Sequence, residues 1–201
     1  MSLSRLQLHR ILLRQADAVQ RLATLYDEMD VRYAAAAENS GFECQGCDDN
    51  CCRTRFYHHT LVEIVGLFSG YRKLPENQRG RILARARDYC RRMNAGDKDN
   101  RPQGQLCPLN LDTRCLLYGE RPMICRLHGI PHVMRHPLRG LISGPGCHMF
   151  ETVCRPDGGN VLDRTPLYTA MANLEKSLRS TTGFETPVRL TIAQMIVCFE
   201  T

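Results

Sequence analysis

The sequence predicts a mainly α-helical protein with a small β-hairpin, folded as one irregular domain with a long N-terminal helix. Stretches near both ends of the chain carry apolar residues every three or four positions, which is the spacing of an amphipathic helix. Between them, two short apolar runs flank His136–Gly140, a turn-forming segment typical of a β-hairpin. A chain of 201 residues can bury the core of one ample domain.

The N-terminal helix is predicted from a stretch without proline or glycine between Ser4 and Glu38. Gln15 interrupts its apolar seam, so the stretch is one helix or two helices joined by a slight bend. Asn39-Ser40-Gly41 is typical of a helix C-terminus. The seam packs on its own domain or pairs with a second chain in a homodimer, and both alternatives remain open. Its residues are Leu8, Leu12, Val19, Leu22, Tyr26, Met29, Tyr33 and Ala36.

Two further helices are predicted before residue 95. The first covers Leu61–Ser69, where Thr60 and Glu63 have the spacing of a capping box. The second covers Pro75–Asn94, with a buried stripe and many arginines on its other faces. We expect those arginines to be solvated, and a face that binds phosphates or acids is the alternative. The stripe consists of Ile82, Ala86, Tyr89 and Met93; the arginines are Arg79, Arg81, Arg85, Arg87, Arg91 and Arg92.

Shorter elements are predicted in the next part of the chain. Cys115–Tyr118 reads as a short strand, and Pro122 suits the first turn of a short helix that carries Cys125. The two strands of the hairpin are Ile130–Met134 and Leu141–Ser143.

Two helices are predicted at the C-terminal end. Thr165 is the expected N-cap of a helix that has Pro166 at its first position and ends near Arg179. Thr191 and Gln194 cap the last helix. The chain then divides into an N-terminal helix, a cysteine-rich domain and helices that complete the core, at residues 1–40, 41–150 and 151–201.

Eight of the eleven cysteines form two groups. The first group lies within nine residues with the spacing Cys-x2-Cys-x3-Cys-Cys: Cys44, Cys47, Cys51 and Cys52. The second is spread over later loops: Cys107, Cys115, Cys125 and Cys147. A Cys-x2-Cys turn can place two sulfurs on one metal ion, whereas the adjacent Cys51 and Cys52 diverge and serve two centres, or one stays unligated. We expect a fold centred on metal that joins the two groups; thiols scattered in the core are the alternative.

The cysteine count and the N-terminal sequence predict a reducing compartment. Eleven cysteines cannot all pair, and without a secretion signal they favour metal binding over disulfides. Residues 1–13 lack the apolar stretch of a signal peptide, and no run is long enough to cross a membrane. We therefore expect a cytoplasmic protein without a membrane partner. Thiolate ligands would offset the formal charge of +6, which disfavours nucleic-acid binding.

These cysteines belong to a longer pattern: Cys-x2-Cys-x3-Cys-Cys, then Cys107-Pro108-Leu109, then Cys-x2-Tyr-x2-Arg-Pro-x2-Cys-Arg over residues 115–126, then Cys147. The pattern resembles the bacterial YkgJ-type CxxCxxxCC cysteine-cluster family, which is described as a zinc- or iron-chelating domain. The resemblance covers Phe42–Cys147. It implies that all eight cysteines form the metal site, and similar clusters occur in flagellin lysine methylases.

Thiolate ligands suit both iron–sulfur clusters and zinc. Zinc knuckles usually supply two Cys-x2-Cys pairs, and the single pair here favours an iron–sulfur cluster of the 4Fe-4S type, one or two per chain, with zinc as the alternative. The predicted function is metal chelation with an electron-transfer or Fe-S enzyme role and a redox or protein partner. The alternative is a zinc-stabilised interaction module. Hydrolase, P-loop and dinucleotide motifs are missing, so whether the chain is an enzyme stays open.

Other residues are assigned around the cluster. Arg121 and Arg126, with Arg53 and Arg55, are expected beside it, where guanidinium groups stabilise a sulfur-rich anion. Five histidines could replace a cysteine as ligands, but we expect each to have a surface or hydrogen-bonding role instead. They are His58, His59, His128, His132 and His148. The remaining thiols are predicted not to bind metal: Cys90, Cys154 and Cys198.

Overall fold

A computed structural model describes residues 3–43, 50–94, 105–112, 114–154 and 161–201. In these ranges the chain is mainly helical with two small sheets, as predicted. The described helices are α1 (Arg5–Arg14), α2 (Ala16–Asn39), α3 (Leu61–Tyr71), α4 (Glu76–Asn94), α5 (Met123–Arg126), α6 (His148–Val153), α7 (Thr165–Thr182) and α8 (Ile192–Phe199). The described strands are β1 (Asn110–Leu111), β2 (Arg114–Cys115), β3 (His132–His136), β4 (Gly140–Gly144) and β5 (Leu162–Asp163).

Helix α3 is the centre of the core. It is apolar almost all round, and every residue except Ser69 is buried. A helix without a polar face is stable only inside a protein, and α1, α2, α7 and α8 pack around it. Gly66 lets α2 approach closely, because a β-carbon at Gly66 would lie 2.6 Å from Leu22 Cδ2.

The predicted N-terminal helix is in fact two helices. The backbone leaves the helical conformation at Gln15 (φ −129°, ψ 40°), which ends α1 and precedes α2. Helix α2 ends at Asn39, and Gly41 follows with φ +61°, in agreement with the predicted C-terminus. Its seam is buried at Leu22 and Met29 and packs against α3, α5 and α7 of the same chain.

The capping box predicted at the start of α3 is wrong. Thr60 precedes the helix, but its side chain caps no backbone amide. The carboxylate of Glu175 caps the helix instead, with 2.9 Å hydrogen bonds from the amides of Leu61 and Val62. With the cap supplied by Glu175, the Glu63 carboxylate accepts a hydrogen bond from the amide of Met123 instead.

The caps of the two C-terminal helices are close to their predictions. Thr191 and Gln194 form the predicted capping box of α8. Helix α7 begins one residue earlier than predicted, with Arg164 as N-cap and Thr165 inside the helix. The Thr165 hydroxyl is used elsewhere, because it accepts a 2.9 Å hydrogen bond from the amide of Arg135 on β3.

The predicted hairpin is confirmed. Strands β3 and β4 are antiparallel from His132↔Gly144 to His136↔Gly140, and β5 pairs in parallel with β3 to give the order β4-β3-β5. Strand β2 is shorter than the predicted Cys115–Tyr118 and pairs with β1, which was not predicted; α6 was not predicted either. Across the described ranges, none of the helices combines the length and apolarity needed to span a membrane.

Candidate metal centre

A cavity of about 1050 Å³ lies between the loop before α3, the β1–β2 sheet, α5 and the start of α6. Six of the eight predicted ligands line it: Cys51, Cys52, Cys107, Cys115, Cys125 and Cys147. They come from separate parts of the chain, so the tertiary fold brings them together. The other two predicted ligands, Cys44 and Cys47, lie outside the described residues.

Asn50 turns the backbone at the adjacent cysteines Cys51 and Cys52. Its carbonyl accepts hydrogen bonds from the amides of Arg53 at 3.0 Å and Thr54 at 3.1 Å, and its side-chain oxygen accepts one from the amide of Cys52 at 3.0 Å. The amide of Cys107 donates to the carbonyl of Cys52 at 2.8 Å. This bond joins the loop that carries Cys52 to the loop that carries Cys107.

Arg85 on α4 fixes the second of these loops. Its guanidinium donates to the carbonyl of Asn110 at 2.5 Å and to that of Cys107 at 3.4 Å. Asn110 pairs with Cys115 across the β1–β2 sheet, and its side chain hydrogen-bonds the thiol of Cys52. The expectation that the arginine face of α4 is only solvated is therefore wrong at Arg85.

Glu63 holds the helix that carries Cys125. The buried carboxylate accepts a 2.7 Å hydrogen bond from the amide of Met123, the first residue of α5, and a 2.5 Å bond from the hydroxyl of Thr60. Burial raises the pKa of Glu63. A helix of four residues has little stability of its own, so this contact orients Cys125 from the core.

Gly129 positions Cys147. Its carbonyl accepts a 3.0 Å hydrogen bond from the amide of Cys147. Gly129 has φ +106°, and a β-carbon there would lie 3.1 Å from the hydroxyl of Tyr33 and 3.8 Å from Cys147 Sγ. Only glycine accommodates both the backbone conformation and the close packing.

Five of the cavity thiols interact with one another. The thiol of Cys51 hydrogen-bonds that of Cys125, which raises the pKa of Cys51 to about 12. A second hydrogen bond, between Cys52 and Cys51, raises the pKa of Cys52. Burial raises the pKa of Cys115 to about 11 and also raises that of Cys107. Thiols with raised pKa values stay neutral unless a positive charge is brought to them.

The donor chemistry fits a metal, but the described side chains do not form a complete set of ligands around one position. An all-thiol set suits zinc or iron–sulfur clusters. Within the described ranges, no three Cys, His, Asp or Glu side chains are arranged to hold one metal ion. The nine described cysteines are all free of disulfide bonds, so the thiols remain available as ligands.

Arg126 lines the cavity, and its guanidinium is engaged by protein groups. The side chain is buried and stacks 4.1 Å from the ring centre of Tyr26. It donates to the carboxylate of Asp30 at 2.5 Å, to the carbonyl of Arg121 at 3.0 Å and to the carbonyl of Gly119. Arg126 therefore fastens the loop between Cys115 and Cys125 to α2.

Arg121 also lines the cavity. Its guanidinium lies 3.5 Å from the ring centre of Tyr118 and donates to Asp30 at 3.3 Å. Arg121 and Arg126 thus share Asp30 of α2 as an acidic partner, and both also contact the loop between Cys115 and Cys125.

The other assigned residues divide between the cavity and the rest of the molecule. Among the histidines, His58 and His128 line the cavity, whereas His59, His132 and His148 do not. Arg53 lines it and Arg55 does not. Three thiols do not line it: Cys90, Cys154 and Cys198. The sequence contained no signal that distinguished His58 or Arg85 from their neighbours, but Glu63 was visible as the one charge in an apolar helix.

No family model matches this chain, and neither a curated protein nor a solved structure matches it. The resemblance to the YkgJ-type family therefore rests on the residues of the motif and stays a prediction. Function has to be argued from the geometry and chemistry of the site.

Proposed function

We propose that the protein chelates metal through its cysteine cluster and carries an iron–sulfur centre of the 4Fe-4S type, one or two per chain. The observation that carries this proposal is the convergence of six cysteines from separate chain segments on one cavity. Thiols that serve only as small core residues have no reason to meet. Cys44 and Cys47, which precede the first pair in the motif, are proposed as further ligands.

The raised thiol pKa values support a metal as the missing positive charge. A thiolate at Cys51 would lose the hydrogen bond that its thiol makes with Cys125, one at Cys115 would lose hydration, and both would repel neighbouring thiolates, which is why each pKa lies above its ordinary value. A coordinated metal offsets both costs and deprotonates its thiol ligands. Metal loading should therefore release protons, since the thiols carry them in the metal-free protein.

The chain's own residues would hold the ligand loops in place. Arg85 fastens the loops of Cys52 and Cys107, and Glu63 orients the helix of Cys125. A bound iron–sulfur cluster would supply one-electron redox chemistry. We propose electron transfer to a redox partner, or support of an Fe-S enzyme reaction, in the cytoplasm.

A zinc-stabilised interaction module is the second candidate. Residues 105–131 carry three of the ligands, Cys107, Cys115 and Cys125, yet their described regular structure is two strands of two residues and one helix of four residues. A segment with so little secondary structure gains much from a structural metal, because metal binding supplies folding free energy.

Purification without oxygen, followed by iron, zinc and acid-labile sulfide analysis, separates the two candidates. Iron and sulfide in equal amounts in a brown protein are expected. Stoichiometric zinc without sulfide in a colourless protein would overturn the iron–sulfur assignment in favour of the structural module. A folded protein without bound metal would overturn both.

A further inference from the structure

Besides its cysteines, the cavity is lined by His58 and by the start of α8. An antiparallel bridge holds these two parts together. The amide of His58 donates to the carbonyl of Leu190 at 2.8 Å, and the amide of Leu190 donates to the carbonyl of His58 at 3.0 Å. Leu190 directly precedes Thr191, the N-cap of α8, so the bridge fixes His58 beside the N-terminus of this helix.

Two backbone amides at this N-terminus have no acceptor among the described residues. The capping box satisfies the amides of Thr191 and Gln194. Ile192 and Ala193 are the first two helical residues, whose amides cannot bond within the helix, and both residues line the cavity. Free amides and the helix dipole together favour a negatively charged group at such a position.

His58 is a second and independent sign of a ligand. The residue is 3% exposed, and its Nε2 has no hydrogen-bond partner among the described residues. Buried polar atoms in native proteins nearly always have a partner. A ring nitrogen without one, on a residue that lines a cavity, indicates that a bound group supplies it. With its proton on Nε2, the ring donates a hydrogen bond to an oxyanion.

The charges and size of the cavity define the class of ligand. Arg53, Arg114 and Arg121 line it, and its described wall contains no aspartate or glutamate. Phe56 and Tyr89 provide aromatic surface for an apolar body. Sites for small molecules usually enclose roughly 300–1,000 Å³. The cavity of about 1050 Å³ therefore has room for an organic molecule.

We propose that this cavity also binds a small organic anion, whose carboxylate or phosphate group is held by the amides of Ile192 and Ala193 and by His58 Nε2. The aromatic part of the wall contacts the organic body of the ligand. The anion site uses none of the eight cysteines, so it goes beyond the proposed metal binding. Metal content and anion binding are separate readouts, and one can fail without the other.

The test is calorimetric titration of the purified full-length protein with two probes, inorganic phosphate and benzoate. Binding of phosphate alone indicates a phosphate ligand, and binding of benzoate alone indicates a carboxylate with an aromatic body. His58→Leu removes the ring nitrogen, and Ile192→Pro removes one amide at a position where proline suits a helix. Each variant should weaken binding about tenfold or more, since each removes a hydrogen bond to a charged group.

Two control variants match these changes. His59→Leu alters the exposed neighbouring histidine outside the cavity wall, and Ile192→Val trims the same side chain but keeps its amide. Both should bind the probe within about twofold of the unmodified protein. Failure of both probes to bind would overturn the proposal, and so would binding that His58→Leu and Ile192→Pro leave unchanged, because the anion would then sit on the metal or elsewhere.

A second measurement needs no variant and covers the case in which a substituted chain does not fold. In the unmodified protein labelled with ¹⁵N, the amide resonances of Ile192 and Ala193 should shift on titration with the probe. The amide of Leu167, at the start of α7, should stay in place as the internal control. Equal shifts at both helices, or at neither, would overturn the proposal.

Discussion

Arg126→Met should destabilise the protein much more than Arg121→Met, although both arginines donate to Asp30. The Arg126 side chain is 3% exposed and that of Arg121 is 13% exposed. Arg126 also bonds the carbonyls of Gly119 and Arg121, whereas Asp30 is the hydrogen-bond acceptor described for the Arg121 guanidinium.

The contacts set the size of the difference. Loss of Arg126 deprives two loop carbonyls of a donor, at about 1–3 kcal/mol for each buried group left unsatisfied. It also removes the stack on Tyr26, which is worth about 2 kcal/mol where the cation is desolvated. The ion pair adds little, about 0–1 kcal/mol, because the Asp30 side chain is 43% exposed. Since such terms are not additive, we expect about 3–5 kcal/mol for Arg126→Met.

Arg121→Met should cost about 1 kcal/mol, because its ring contact is with Tyr118, which is 63% exposed. Urea unfolding followed by circular dichroism measures both free energies in protein of known metal content. Arg126→Met should also lower metal content, since the loop it fastens runs between Cys115 and Cys125. Equal destabilisation by the two substitutions, or a loss below about 1 kcal/mol for Arg126→Met, would refute the assignment of Arg126 as the fastener of this loop.

Three further predictions concern the ligands, a buried histidine and the N-terminal helices. Serine in place of a ligand cysteine should remove metal and destabilise the fold, because metal binding is coupled to folding. The five cysteines to substitute, one at a time, are Cys44, Cys47, Cys107, Cys115 and Cys125. Normal metal content in three or more of these variants would refute the ligand assignment. Alanine at Cys90 or Cys198, which lie away from the cavity, is the matched control and should leave metal content unchanged. Burial lowers the pKa of His58 from 6.5 to about 4, so the unfolded chain binds more protons between these values and stability should fall by up to about 3 kcal/mol as pH falls through them. Urea unfolding at the two ends of that window should show a smaller fall for His58→Leu, and an unchanged fall would contradict the reasoning. Deletion of residues 2–36 should uncover the apolar stripe of α7, on which α2 packs, so the truncated protein should aggregate. Light scattering measures the aggregation. If the full-length protein is a dimer and the truncated protein is a soluble, metal-bound monomer, the deleted segment is instead a dimerisation arm.

Helix ends set by local chemistry could be predicted from the sequence. The capping box at Thr191 and the glycine after α2 involve residues within four positions of the helix end, and both predictions are confirmed. Leu61 was correctly predicted as the first residue of α3, but its cap could not be predicted, because the capping carboxylate belongs to Glu175, more than a hundred residues away. The contact between the Glu63 carboxylate and the amide of Met123 also joins distant parts of the chain, so a local pattern cannot reveal it.

The site followed the same division. Spacing identified eight candidate cysteines, and the six of them that the structure describes line a single cavity. The residues that hold their loops were not identified, because Arg85 is one of several arginines on α4 and only its position in the fold brings it to Cys107. His58 was one of five histidines until its unpartnered nitrogen and its bridge to Leu190 distinguished it.

X-ray absorption at the metal edge of the purified protein tests the central proposal, that thiolates hold the metal, most directly. We expect a first coordination shell of sulfur alone. With zinc the metal–sulfur distance should be about 2.3 Å, and with an iron–sulfur cluster a second shell of iron should accompany the sulfur. A first shell composed mainly of nitrogen or oxygen would contradict the cysteine cluster as the metal site.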